Sequence, residues 1–84
     1  MIDRILLRDR VRTVLAALPA NRRASEQLIF DKLKPDFPDL RADDLRVSIE
    51  WNQGKGWIDY RYNADQERDE WFLSERGRQK EGLA

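Results

Sequence analysis

The sequence predicts an α+β domain: three helices, then a two-stranded β-hairpin, then a short C-terminal helix or turn. Two observations carry this. Apolar residues recur at helical spacing in three segments closed by Pro19, Pro35 and the Gly54/Gly56 pair. After Gly56 the pattern changes to the aromatic alternation Trp57-Ile58-Asp59-Tyr60-Arg61-Tyr62, which is a strand signature.

The first helix is expected over about 3–18. Leu7, Val11, Val14, Leu15 and Leu18 form one stripe, with Arg8, Asp9 and Arg12 largely off it. Pro19 ends the helix because it forces its predecessor out of the α region. A polar connection, 19–24, leads to Ser25, a good N-cap, and to Glu26, which suits the positive end of the next helix. Leu28, Ile29 and Leu33 supply that helix's apolar face, and Pro35 stops it. The turn Asp36-Phe37-Pro38-Asp39 precedes a third helix, about 41–53, which turns Leu45, Ile49 and Asn52 inward. Asn52 is a poor core residue, so it either lies at the margin or finds a hydrogen-bond partner. Arg41 stands where a Ser or Thr cap is expected. Residues 57–62 and 70–73 are the expected strands, with a turn at 63–69 between them. Ser74 caps the final short helix or turn, whose length Gly77 and Gly82 limit.

Helix, helix, helix, hairpin is the order of a winged helix-turn-helix: the third helix is the candidate reader and the hairpin the wing. The whole chain, 1–84, reads as one such domain. Two stretches resemble winged-helix proteins. Ile49-Glu50-Trp51-Asn52-Gln53-Gly54-Lys55-Gly56-Trp57-Ile58 is similar to a recognition helix passing through glycine into the first wing strand. Phe72-Leu73-Ser74-Glu75-Arg76-Gly77 is similar to the ending of many winged-helix regulators. From Leu7 onward the chain also resembles small winged-helix proteins of Mu-like prophages. That resemblance implies a DNA-associated or phage-related role.

Composition narrows the chemistry. The chain has no histidine and no cysteine, which removes the usual general base, the thiol nucleophile and the commonest metal ligands. No phosphate-binding glycine loop or nucleophile–base pair is present, so no enzyme activity and no cofactor are expected. Asp43 and Asp44 are adjacent on a helix and diverge by about 100°, so capping explains them better than catalysis. No apolar run is long enough for a signal peptide or a membrane span, and the expected location is cytoplasmic.

Net charge is zero but uneven. Residues 1–34 carry eight basic and four acidic groups; the remainder carries eight basic and twelve acidic. The expected partner is duplex DNA, with Arg46 and Ser48 on the third helix, Arg41 at its start, and Arg22 and Arg23 before the second helix as contacts. The third helix is nevertheless neutral, and the wing is acidic through Asp65, Glu67, Asp69 and Glu70 against Arg68. Phosphates repel such a wing. The alternative is a module for protein interaction or phage assembly. It would use a homodimer or partner surface on the aromatic hairpin, at Trp57, Tyr60, Tyr62 and Trp71.

Overall fold

The computed structural model describes residues 2–19 and 21–83. The elements in order are α1 (Arg4–Ala16), β1 (Ala24–Ser25), α2 (Glu26–Leu33), α3 (Ala42–Gly54), β2 (Ile58–Asn63), β3 (Arg68–Leu73) and α4 (Glu75–Lys80). The expected three helices and hairpin are all present. One element is new: β1, two residues long, pairs antiparallel with β3 (Ala24 opposite Trp71, Ser25 opposite Glu70), giving a sheet in the order β1-β3-β2.

Local chemistry sets most boundaries. The Asp3 carboxylate accepts the Leu6 N–H at 3.0 Å and starts α1. The helix stops at Ala16, two residues before the expected end, and the Ala17 N–H closes the last turn. The Ser25 hydroxyl accepts the Leu28 N–H at 3.1 Å. Ser25→Ala removes that acceptor and is expected to lower stability by about 1 kcal/mol, read as a lower Tm on thermal unfolding. At α3 the Arg41 side chain accepts nothing, but the Asp44 carboxylate accepts the Arg41 N–H at 3.2 Å. The cap missing at Arg41 is thus half supplied from within the helix.

The helices close over the inner face of the sheet. Leu7, Val11 and Leu15 of α1, Ile29 and Leu33 of α2, and Leu45 and Ile49 of α3 meet Ala24, Ile58, Trp71 and Leu73 in one buried cluster. Phe37 and Leu40 pin the α2–α3 connection to the same core. Leu28, expected inward, lies at the surface, 37% exposed.

Asn52 does find partners. It is fully buried, and its Oδ1 accepts from Arg12 Nη1 at 2.8 Å. Its Nδ2 donates to the Arg8 carbonyl at 3.1 Å and the Ser48 carbonyl at 2.9 Å. Arg12, expected off the apolar stripe, is buried at 3% exposure. Asp9 (2.6 Å) and Glu81 (3.2 Å) neutralise it, and its guanidinium lies 4.6 Å from the Trp57 ring centroid. The C-terminal segment encloses this arginine, which periodicity along α1 alone does not reveal.

Candidate nucleic-acid interface

α3 presents two flanks and a ridge. Its core arc holds Leu45, Ser48, Ile49 and Asn52. Ser48 therefore drops out as a DNA contact: it is 2% exposed, because three residues past Leu45 and four before Asn52 place it on the inward arc. By helical geometry, Asp43, Val47, Glu50 and Gly54 make up the outward ridge. Two of these are acidic and none is basic.

Arg41 is exposed at the start of α3. Arg46 lies on the flank towards α2, where Nη2 contacts Glu26 Oε2 at 3.1 Å. The Glu26 hydrogen bond, then its charge, raise the Arg46 pKa above the ordinary arginine value, with Glu50 and Asp43 adding to the rise. Arg46 is thus a permanent cation already given a counter-charge. The cleft between α2, α3 and the hairpin contains Glu26, Glu50 and Asp69 against Arg46 and Arg68, so carboxylates outnumber guanidinium groups there. The hairpin turn is tied by the Asn63 side chain, which accepts the Asp65 and Gln66 N–H groups at 3.0 and 3.1 Å.

The stronger basic site lies elsewhere. Arg22 and Arg23 are exposed on the loop before β1. Arg23 reaches Glu70 only at 3.9 Å, and Arg22 has no ion pair among the described residues. The N-terminus of α2, expected to receive a phosphate beside them, is already occupied. Ser25 caps it, and the Glu26 carboxylate sits in its first turn. Any phosphate held there is held by the arginine side chains. The same two arginines border a separate cleft with Arg61 of β2 and Arg78 of α4. Residues 61 and 78 give no local sign of this, because only the folded chain brings them to the loop.

No family model matches this chain, and no curated protein matches its sequence. Among solved structures, the chain is similar to PerR from Streptococcus pyogenes, whose structure is described as the basis for peroxide sensing and gene regulation by that protein. The match has a TM-score of 0.70 at 12% identity over 87% of this chain. This chain spans about half, 47%, of that one. The fold is a winged helix.

On this winged helix the four aromatics expected to form an interface have separate fates. Trp71 is 8% exposed, with Tyr60 against it at 5.1 Å between centroids, so it is a core residue and not a surface anchor. Trp57 is half-buried, edge-on to Trp51 at 5.6 Å and covered by Arg12 and Lys80. Tyr60 and Tyr62 remain 44% and 62% exposed. Strand alternation does place them on the side of Ile58, but Tyr60 faces the open cleft towards α2 and α3 and Tyr62 faces solvent. Among the described residues no helix is long and apolar enough to cross a membrane, and no group of three or more acidic side chains is placed to hold a metal ion.

Proposed function

We propose that this winged helix binds duplex DNA mainly through the phosphate backbone, with little reading of base sequence. The observation that carries this reading is the availability of its arginines. Arg22 and Arg41 are exposed without an ion pair among the described residues. Arg23 and Arg46 are exposed and held only by bridges to the less exposed carboxylates of Glu70 and Glu26, at 3.9 and 3.1 Å. Both guanidinium groups face solvent, which screens these bridges, so a phosphate can compete with the carboxylate for each of them. The acidic ridge of α3 and the acidic wing limit base contacts, which makes the binding weak and sequence-tolerant.

The variants Arg22→Ala/Arg23→Ala and Arg41→Ala/Arg46→Ala test this. Each pair is expected to weaken duplex binding by a similar factor on every sequence, as loss of phosphate contacts does. Selective loss on one sequence would instead assign the arginines to base reading. The resemblance to small proteins of Mu-like prophages points the role towards a prophage regulator.

A second reading is a protein-interaction or phage-assembly module. The observation favouring it is the α2–α3–wing cleft, where Glu26, Glu50 and Asp69 surround Tyr60 while Tyr62 projects beyond. Such a surface suits a basic segment of a partner protein better than a phosphate.

A further inference from the structure

We infer that the cleft behind the sheet, between the α1–β1 loop, the outer face of the sheet and α4, is a binding site for a phosphoryl group. The cleft has a volume of about 470 Å³. Four arginines from separate parts of the chain line it: Arg22 and Arg23 from the loop, Arg61 from β2 and Arg78 from α4. No carboxylate is among its lining residues; Glu70 lies beside it, opposite Arg61 on the same face of the sheet and 3.9 Å from Arg23. Arg22, Arg61 and Arg78 form no ion pair with any described residue, and Arg23 has only the 3.9 Å contact to Glu70. Arg12, Arg46 and Arg68 each have a carboxylate within 3.2 Å, whereas Arg41, like the cleft arginines, has none among the described residues. What distinguishes the cleft is that its arginines converge on one concavity.

Four guanidinium groups around one concavity outnumber the one carboxylate that bridges to them, Glu70, and an anion entering it relieves the remaining repulsion. Guanidinium forks match the oxygens of a phosphate better than any other side chain does. Leu15, Leu18 and Phe72 line the same cleft, so its wall is partly apolar. The pairing of Asp59 with Phe72 and of Arg61 with Glu70 places Phe72 and Arg61 on one face of the sheet. An arginine rim beside an aromatic ring suits a phosphate ester carrying a planar body, which is the chemistry of a nucleotide. The nucleotide is either free or one unit of a nucleic-acid strand. In the second case the inference rests on the DNA reading and adds Arg61 and Arg78 to its contacts.

The test follows the arginine Nε–Hε resonances by NMR during three titrations: inorganic phosphate, adenosine monophosphate and a blunt duplex. The titrations are repeated on Arg61→Gln/Arg78→Gln. Both side chains are exposed, so an unchanged Tm is expected for the variant and is checked first. The expected result is movement of the Arg22, Arg61 and Arg78 signals, with affinity reduced about tenfold or more in the variant. Movement with phosphate or the mononucleotide identifies a free ligand; movement with duplex alone identifies the DNA backbone. Failure of all three probes to move these signals, or equal affinity in the variant, overturns the inference. Duplex binding untouched by Arg61→Gln/Arg78→Gln but lost in Arg41→Ala/Arg46→Ala sinks the cleft and leaves the DNA reading standing. Mononucleotide binding without duplex binding does the reverse.

Discussion

Asn52→Leu lowers stability by about 2–3 kcal/mol, although it places an apolar residue at a fully buried helical position. Apolar periodicity alone favours leucine here and predicts the opposite sign. The structure reverses it because the asparagine is one half of a buried pair. Its carbonyl receives Arg12 Nη1 at 2.8 Å, and its amide serves the carbonyls of Arg8 and Ser48. Leucine leaves Arg12 Nη1, on a side chain at 3% exposure, with only its long 3.4 Å contact to the Arg8 carbonyl, and weakening the support of a buried charge costs more than the extra apolar contact returns. In a domain of this length the change corresponds to a fall in Tm of about 10–20 °C. The companion variant Arg12→Met/Asn52→Leu removes the buried cation together with its partner. It is expected to be more stable than the sum of the single changes by about 1 kcal/mol or more. Thermal unfolding of the four proteins measures this. A Tm for Asn52→Leu at or above that of the parent would show that Arg12 does not depend on Asn52.

Gly77→Ala is the second large effect. In an ordinary helix this substitution gains stability, by roughly 1 kcal/mol. Here a Cβ at residue 77 would run into the backbone carbonyl of Trp57, with Leu73 Cδ2 at 3.2 Å on another side. That carbonyl cannot withdraw freely, since it accepts the Ser74 N–H at 3.1 Å, while the Ser74 hydroxyl donates to the Gly56 carbonyl at 2.5 Å. Alanine must therefore push α4 off the start of β2, weakening the Arg12–Glu81 and Lys80–Trp57 contacts. The expected loss is about 1–3 kcal/mol. Amide exchange of residues 75–81 should rise more than that of α3. Unchanged protection of α4 with an equal or higher Tm would mean that the close approach at Gly77 is not needed.

These two residues also show where the sequence is legible. Ser25, Ser74, Pro19 and Pro35 act on their own neighbours, so helix positions could be read to within two residues. The hairpin was equally open to reading, because alternation over 57–62 is a long enough signal, although its second strand begins two residues earlier than composition suggests. β1 was not: two residues cannot display a period, and only the pairing of Ala24 and Ser25 with β3 defines it. Gly77 reads locally as a helix limiter, whereas its role is set by a carbonyl twenty residues away. Ser48 was legible in principle, since its angle on α3 falls beside Asn52. Its hydroxyl suits a base or phosphate contact, but that angle turns it inward. Arg61 and Arg78 were illegible as site residues because nothing near either one marks it, and their meeting with Arg22 and Arg23 is a product of the tertiary fold alone.

Binding of DNA through its backbone, as proposed, is tested most directly by fluorescence anisotropy of a labelled random-sequence duplex, titrated with protein over a series of salt concentrations. Four arginine–phosphate contacts, at Arg22, Arg23, Arg41 and Arg46, predict a slope of log K against log salt of about −3.6. They also predict nearly the same affinity for unrelated duplexes. An absence of binding at low salt contradicts the account and turns attention to protein partners of the Tyr60–Tyr62 face.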